Sequence, residues 1–459
     1  EMLFFIILIL TVTIFNILFK ETRWNWNKIN LDSISFPKSF IWGTATASHQ
    51  VEGNCNNNWS EFEKGFKNNG EPNIKDSQFS GLACDHWERY KSDIELIKSL
   101  GVKHYRFSLE WSKIEPELGV YNEEALKHYS DVIDELLKNK IEPVITLHHF
   151  SHPIWFDKLG AFEKEKNILH LVSFSKKVFS HFSDRVKYWC TINEPGVVAI
   201  QGYFTGMFPP GESNGQKAGE VYKNLLESHV QIYTALKKLP NGSSVKIGIV
   251  KNINQFDPWS RYNIFDWLFT FAMNHIFNWA PINFFKTGKL KFRVPGLIWN
   301  THINKDAIKS LDFFGLNYYS HNHIRFNPFS KDYSDLMYKK NDIMTDMPYT
   351  IYAEGIYRAI KLVSKLNLPI IITENGVADK NDSIRSDYIK KYLFAVSKSI
   401  EDGYNVIGYY YWSLMDNFEW AFGYDMRFGL FEVDFKTQER TLKKGANAYI
   451  DIIKSQTDE

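Results

Sequence analysis

Eight short apolar runs recur along this chain, and each ends in polar or aromatic residues before a helical or looped stretch begins. They are "FIWGTATA" (40–47), "KHYRFSLEW" (103–111), "EPVITLHHF" (142–150), "VKYWCTINEP" (186–195), "VKIGIV" (245–250), "LDFFGLNYY" (311–319), "LPIIITENG" (368–376) and "NVIGYYYWSL" (405–414). Strands this continuously apolar are buried on both faces, which is the signature of a parallel sheet covered by helices. The gaps support this. "NEEALKHYSDVIDELLKNK" (122–140) has apolar residues at helical spacing behind an Asn cap, and "ERYKSDIELIKSLG" (88–101) stops at a glycine. Eight such strands alternating with helices predict a closed (β/α)8 barrel of the α/β class, and 459 residues suit that fold with insertions. A doubly wound open sheet is the structural alternative. It would be expected to open on a glycine-rich nucleotide turn, and "GTATAS" is not one.

In a barrel of this kind, chemistry collects at the carboxyl ends of the strands. Those ends here carry Gln50, Arg106 with Trp111, His149, Asn193 with Glu194, Asn317 with Tyr319, Glu374 and Trp412. Taken singly, a strand-end His is an ordinary structural group and a strand-end Glu an ordinary solvated one. The recurrence in step with the strands makes them candidates. "TINEP" and "ITENG" each set a Glu at a strand end, on the fourth and seventh runs, facing one cavity. Two carboxyl groups in one pocket divide labour: one stays neutral and donates a proton, while the other stays ionised and attacks. That pair suits cleavage of a glycosidic bond through an oxocarbenium-like transition state. A hard-cation site would want more clustered Asp and Glu. With 54 basic and 53 acidic residues and a net charge of +1, the chain lacks the electrostatic footprint of a nucleic-acid binder. Cys55, Cys84 and Cys190 have neither zinc spacing nor the numbers of a disulfide framework, although a Cys55–Cys84 pair stays open.

The motifs "FIWGTATASHQVEG", "YRFSLEW", "TLHHFSHPIWF", "TINEP", "GLNYYS", "ITENG", "YWSLMDNFEWAFGY" and "MRFGLFEVDF" together resemble the family 1 glycoside hydrolases, the β-glucosidase and β-galactosidase family, from Phe36 to about Ile453. The resemblance implies that Glu194 is the acid/base and Glu374 the nucleophile of a retaining double displacement, with the two carboxyl groups about 5–5.5 Å apart. It implies that Arg106 and Tyr319 support the nucleophile. Asn193 would bind the sugar 2-hydroxyl, Gln50, His149, Asn317, Glu419 and Trp420 would complete the sugar clamp, and Trp412 would form an aromatic floor. Aligned on Pro153, "LHHFSHP" selects His149 and leaves His148 to barrel packing. No metal or organic cofactor is implied. Phe150 and Ser151 stand where many members have Trp and Asp, which predicts a looser loop. Glu419 is the residue that accompanies non-phosphorylated sugars. "NNNWSEFE" and "DMRFGLFEVDF" are similar to the archaeal-like branch, which includes membrane-anchored galactolipid-remodelling members. The implied substrate is a small β-glycoside or oligosaccharide, glucoside or galactoside, with a glycolipid as a further class. Two other readings use the same residues: a transglycosylase passing the sugar to another hydroxyl, and a non-catalytic sugar-binding member, which would be expected to lack one of the two carboxylates.

Two segments stand apart. "MLFFIILILTVTIFNILF" (2–19) is almost unbrokenly apolar, with Asn16 its one strongly polar residue, and reads as an uncleaved signal anchor, with a removed signal peptide and a buried helix of the fold as the alternatives. A linker over 20–35 and the barrel over 36–455 would follow, with Trp24 and Trp26 as interfacial anchors and the protein membrane-bound or secreted. The sequons at Asn58, Asn241 and Asn381 then become glycosylation candidates. The aromatic stretch at 257–285 reads either as a helix and loop packed on the barrel or as an apolar lip for the aglycone.

Overall fold

In the computed structural model, which describes residues 2–294, 298–330 and 333–457, all eight apolar runs are strands of one closed parallel barrel. They are β1 (Ile41–Ala45), β2 (His104–Ser108), β3 (Glu142–His148), β4 (Tyr188–Asn193), β5 (Lys246–Asn252), β6 (Phe313–Asn317), β7 (Ile370–Asn375) and β8 (Val406–Trp412). Their order around the barrel is β1–β8–β7–β6–β5–β4–β3–β2. Val144, Cys190, Val250, Phe313, Ile371 and Tyr410 plug its interior. Ile145, Trp189, Ile247, Phe314 and Ile372 point outward into the layer packed by the helices.

The longer helices are α1 (Met2–Leu18), α2 (His86–Ser99), α3 (Glu123–Lys138), α4 (Ile168–Phe182), α5 (Pro195–Tyr203), α6 (Gly215–Lys237), α7 (Ile264–Asn274), α8 (Ala280–Thr287), α9 (Glu354–Val363), α10 (Arg385–Glu401) and α11 (Asn447–Thr457). Helix α3 shows how they form. The Asn122 side chain accepts from the Glu124 and Ala125 amides, and Leu126, Tyr129, Ile133 and Leu136 form the stripe that is buried.

Above β5 and β6 the chain adds a small sheet. Gln255–Pro258 runs parallel to His321–Phe326, which pairs antiparallel with Ser334–Met337. Helix α7 and a π-helical turn at His275–Trp279 lie beside it. The aromatic stretch at 257–285 thus packs on the barrel and also, as described below, lines the site.

The N-terminal segment differs from its sequence reading in several respects. Helix α1 has 17 residues, and among the described residues no helix is long and apolar enough to cross a membrane. It lies on α7, with Phe15 and Phe19 edge-on to Phe271 at centroid distances of 4.9 and 5.0 Å. Asn16 joins this contact: Arg261 Nε donates to its Oδ1 (2.8 Å), and its Nδ2 donates to the Arg261 carbonyl oxygen (2.8 Å). Trp24 and Trp26 are not interfacial anchors. The Trp24 backbone amide and Trp26 Nε1 both donate to Glu354 Oε1 on α9, and the two rings pack edge-on to Phe394 of α10. The linker is therefore docked along its length. Asn58 is no glycosylation acceptor, because it is buried, donating to the Phe150 carbonyl oxygen and accepting from the His152 amide. Asn241 and Asn381 are exposed. All three cysteines are free, so Cys55 and Cys84 do not pair.

Candidate active site

Simple alternation along a strand cannot bring both glutamates to the cavity. On β7, Ile371 faces the barrel interior and Ile372 the helices, so Thr373 should face in and Glu374 out. A one-residue register shift against β6 falls between Ile372 and Glu374. This β-bulge turns Glu374 to the same side as Thr373. The matching shift on β4 falls between Cys190 and Asn193 and aims Asn193 inward. Glu194 then takes a left-handed conformation (φ 44°) and opens α5. After Glu374 the chain passes so close to β8 that a Cβ at position 376 would overlap the Trp412 carbonyl oxygen, so Gly376 is required there.

Arg106 is fully buried and ties four strands together. Its Nη1 donates to Glu374 Oε1 (2.7 Å) and to the Thr373 carbonyl oxygen (3.3 Å). Its Nη2 donates to Asn193 Oδ1 (2.8 Å) and its Nε to Thr146 Oγ1 (2.9 Å). The Tyr319 hydroxyl donates to the other Glu374 oxygen, Oε2, at 2.8 Å. Glu194 sits differently: Oε1 accepts from the neutral amide Asn317 Nδ2 (2.7 Å). Asn317 is in turn fixed by Thr373 Oγ1, which donates to its Oδ1 (2.7 Å).

The two carboxyl groups titrate as a coupled pair. Burial and the neighbouring Glu374 charge push Glu194 up to about 8, against weaker pulls from Asn317, Lys251 and Arg106. Burial also raises Glu374, but Arg106, Tyr319 and Asn317 draw it back, so Glu374 is the more acidic member.

The remaining candidates close around this pair. Asn193 Nδ2 donates to His149 Nε2 (3.0 Å). Burial holds His149 well below the usual imidazole range, so the ring is neutral and its Nδ1 carries the proton. That ring stacks against both Trp412 (5.7 Å) and Trp420 (5.9 Å). Gln50 Nε2 donates to Asn417 Oδ1, the Phe418 carbonyl oxygen and Glu419 Oε2. Burial raises Glu419 to about 8, with the other two glutamates adding to the rise. Gln50 Oε1 and His149 Nδ1 are buried without a hydrogen-bond partner among the described residues. Both are ready to meet ligand hydroxyls.

The cavity has a volume of about 340 Å3. Its floor is polar: Asn193, Glu194, Glu374, Glu419 and His149 line it. Its outer wall is apolar, formed by Phe256 and Leu336 of the added sheet, Tyr338 just beyond it, Met273 of α7 and Phe277 of the π-helical turn. Sequence reasoning singled out the polar floor but missed Tyr349 on the wall and Lys251 behind it. The signal for Lys251 was a charged residue directly after the apolar stretch 247–250 of β5. Trp111 is not in the site. Its ring packs on Phe156 and Phe174, and Nε1 donates to Glu115 Oε2. His148 packs on Phe162, as expected of a structural group. The loop expected to be loose is held instead, since Ser151 is buried and donates to Glu110 Oε2 (3.0 Å).

Among the described residues, one group could offer donors to a metal: Glu21, His321 and His323, on the face of the added sheet away from the cavity. Arg23 pairs with Glu21, and His321 and Arg358 both contact Asp257 there. Glu21 also reaches His323 Nε2 (3.5 Å), which joins the linker to the added sheet.

The chain matches the model of Glycosyl hydrolase family 1 over residues 32–458. It is 35% identical over 446 residues to beta-glucosidase A of Thermotoga maritima, covering 92% of this chain and 98% of that one. It is also 35% identical over 441 residues to the 1,4-beta-D-glucan glucohydrolase of Thermotoga neapolitana, with 92% and 98% covered. Among solved structures, a beta-glycosidase from Pyrococcus horikoshii superposes with a TM-score of 0.83 at 39% identity, covering 92% and 96% of the two chains. A Thermotoga maritima beta-glucosidase in complex with glucoimidazole gives a TM-score of 0.83 at 33% identity, covering 92% and 99%. With fold, cavity and sequence in agreement over nearly its whole length, the chain belongs to glycosyl hydrolase family 1 and is a β-glycosidase that hydrolyses O-glycosyl bonds.

Proposed function

We propose that the enzyme removes terminal β-D-glucosyl or β-D-galactosyl units with retention of configuration, Glu374 acting as nucleophile and Glu194 as acid/base. The observation that carries this reading is the asymmetry of the two carboxyl groups. Both oxygens of Glu374 are held by donors, one of them a guanidinium, while Glu194 meets one neutral amide and is pushed up to about 8. Paired carboxyls with proton affinities driven apart supply one acid and one nucleophile.

The steps follow from these positions. A Glu374 oxygen attacks the anomeric carbon while Glu194 gives its proton to the departing glycosidic oxygen. Glu194, now a carboxylate, takes a proton from water as that water attacks the same carbon, and the glycosyl ester breaks. Rigid placement of Glu374 by Arg106 and Tyr319 lowers the cost of reaching attack geometry. Asn193 meets the 2-hydroxyl, and Gln50, His149, Glu419 and Trp420 meet the outer hydroxyls. Asn317 orients Glu194, and the Trp412 face receives the C–H face of the ring. Three carboxyl groups around the sugar disfavour a phosphorylated substrate.

The apolar wall of Phe256, Met273, Phe277, Leu336 and Tyr338 favours an apolar aglycone, with lipid glycosides as the extreme case. Helix α1 supports that extreme by presenting Ile9, Leu10, Ile17 and Leu18 to the outside while resting on α7, the helix that supplies Met273. Transfer to a sugar hydroxyl, in place of water, would use the same glycosyl ester.

The test is hydrolysis of aryl β-glucoside and β-galactoside followed by proton NMR of the first-formed sugar. The β-anomer is expected from the wild type, and activity is expected to vanish in Glu374→Ala. An α-anomer as first product, or unchanged rates in the variant, would overturn the assignment.

A further inference from the structure

Thr373 precedes Glu374 on the bulge of β7 and is fully buried. Its hydroxyl donates to Asn317 Oδ1 (2.7 Å). The other end of that amide, Nδ2, donates to Glu194 Oε1 (2.7 Å) and, at longer range, to Asn193 Oδ1 (3.3 Å). The threonine methyl is seated as well, since a Cβ built on Gly315 of β6 would lie 3.1 Å from it. A β-branched side chain with one branch packed has its other branch aimed. Arg106 sets the direction of the chain of donors. A guanidinium only donates, so the Asn193 atom that meets Nη2 (2.8 Å) is the amide oxygen. That oxygen requires a donor from Asn317, which turns Nδ2 toward Glu194 and leaves Oδ1 facing Thr373. Among the described residues the Thr373 hydroxyl is the only donor to that Oδ1.

A protonated carboxyl group accepts best at its carbonyl oxygen. With Oε1 taken by an N–H, the proton of Glu194 belongs on Oε2. Glu194 lines the cavity, and its Oε2 has no hydrogen-bond partner among the described residues, so that oxygen is free to meet a glycosidic oxygen. A turned amide would offer Oε1 an acceptor and draw the proton there, away from the bond that breaks. We propose that Thr373 is a positioning residue for the acid/base: through the Asn317 amide it places the Glu194 proton on Oε2, the oxygen that serves the leaving group. The inference rests on Glu194 being the acid/base. In the step concerned, the bond from the anomeric carbon to the leaving oxygen breaks and its electron pair goes to that oxygen. The Oε2 proton moves onto the same oxygen, and a Glu374 oxygen bonds to the carbon. Thr373 gives up no proton. The strand that carries the nucleophile thus also orients its partner.

The experiment measures kcat/KM, which reports this first step, on phenyl β-glucoside and dinitrophenyl β-glucoside. Dinitrophenolate departs without a proton and phenolate does not, so a misplaced proton slows the phenyl substrate selectively. In Thr373→Val the phenyl rate should fall about 10–100-fold relative to the dinitrophenyl rate, a part of what general acid catalysis supplies. Thr373→Ser keeps the hydroxyl and should restore most of that ratio. Thr373→Ala should show the same loss as Thr373→Val, and it decides the matter if the valine variant does not fold. Asn317 also draws Glu374 down, but a weaker nucleophile slows both substrates, so the ratio isolates the acid. A merely structural threonine would lower both rates together, and a ratio unchanged from the wild type overturns the proposal. A double-mutant cycle with Asn317→Ala tests the route: the two changes in the ratio should not add, and full additivity would mean that Thr373 does not act through the amide. Glu194→Gln on the same two substrates separates this inference from the reading beneath it. If that variant leaves the ratio unchanged, the acid/base assignment fails and the proposal falls with it. If it collapses the phenyl rate alone while the Thr373 variants keep the wild-type ratio, only the positioning role fails.

Discussion

Replacing Tyr319 with Phe isolates one of the two donors that hold Glu374, the proposed nucleophile. The hydroxyl donates to Glu374 Oε2 at 2.8 Å, while Arg106 keeps its hold on Oε1 at 2.7 Å, so the carboxylate loses one support and keeps its cation. A hydrogen bond to a charged group contributes about 1.5–3 kcal/mol. Divided by the free energy of one pKa step, that is a rise of about 1–2 units in the Glu374 pKa. The sign follows directly. The phenol donor stabilises the ionised form, so without it Glu374 is protonated at a higher pH and activity is lost from the acidic side. On the alkaline side Glu374 is ionised in both proteins, and the limb set by Glu194 should stay put. The assay is kcat/KM against pH on an aryl β-glucoside across both limbs. A rate loss equal at every pH, with an unmoved acidic limb, would show that Tyr319 does not govern the charge on Glu374.

Two further variants, one of them double, test other links. Removing Met273 and Phe277 together strips apolar surface from the outer wall, which is worth about 1–2 kcal/mol at the usual cost of a partly buried side chain. KM for octyl β-glucoside should rise roughly 5–30-fold while methyl β-glucoside is little affected, as steady-state kinetics on the pair will show. Arg261→Ala removes the guanidinium that donates to Asn16 and to the Phe19 carbonyl oxygen. Helix α1 should then loosen, so limited trypsin cleavage at Lys20 or Arg23 should quicken while aryl glucoside hydrolysis is unchanged.

The barrel was legible because strands buried on both faces keep no polar side, and eight unbroken apolar runs leave few architectures open. The floor of the site was legible for a related reason. Polar residues such as Asn193, Asn317 and Glu374 end runs whose other members are apolar, and the contrast marks them. The aiming of those residues was hidden. Period-two reasoning puts Thr373 and Glu374 on opposite faces, and only the bulges on β4 and β7 bring the pair together. A bulge depends on the register of the neighbouring strand, which no local pattern records. The docking of the N-terminal helix was hidden for a similar reason. It rests on Trp267 and Phe271 and is joined to the body by a polar pair, Asn16 with Arg261, that lies 245 residues apart in sequence. Trp24 and Trp26 likewise found a distant partner, Glu354.

The same burial that suits Glu194 to its proposed role as the acid makes the fold sensitive to alkali, and this can be measured without substrate. In the folded protein Glu194 keeps its proton up to about 8, against an ordinary value of 4.5. Between those limits the folded state binds a proton that the unfolded state has released, so stability falls as pH rises through this window. For one group displaced this far, the fall is of the order of a few kcal/mol. Lys251 works in the opposite sense, but only above about 7, where the unfolded lysine still holds a proton that the folded one has lost. Glu419 shares the Glu194 direction. Glu194→Gln removes one contribution and leaves the rest of the background in place. Near pH 5 the amide and the protonated acid are close mimics, and the two proteins should melt at nearly the same temperature. By pH 7 the variant should be the more stable, because its wild-type counterpart still resists releasing the proton. Thermal unfolding of both proteins from pH 5 to 7 decides the matter. Parallel curves would mean that Glu194 is not held protonated by its surroundings, and the division of labour between the two carboxyl groups would lose its physical basis.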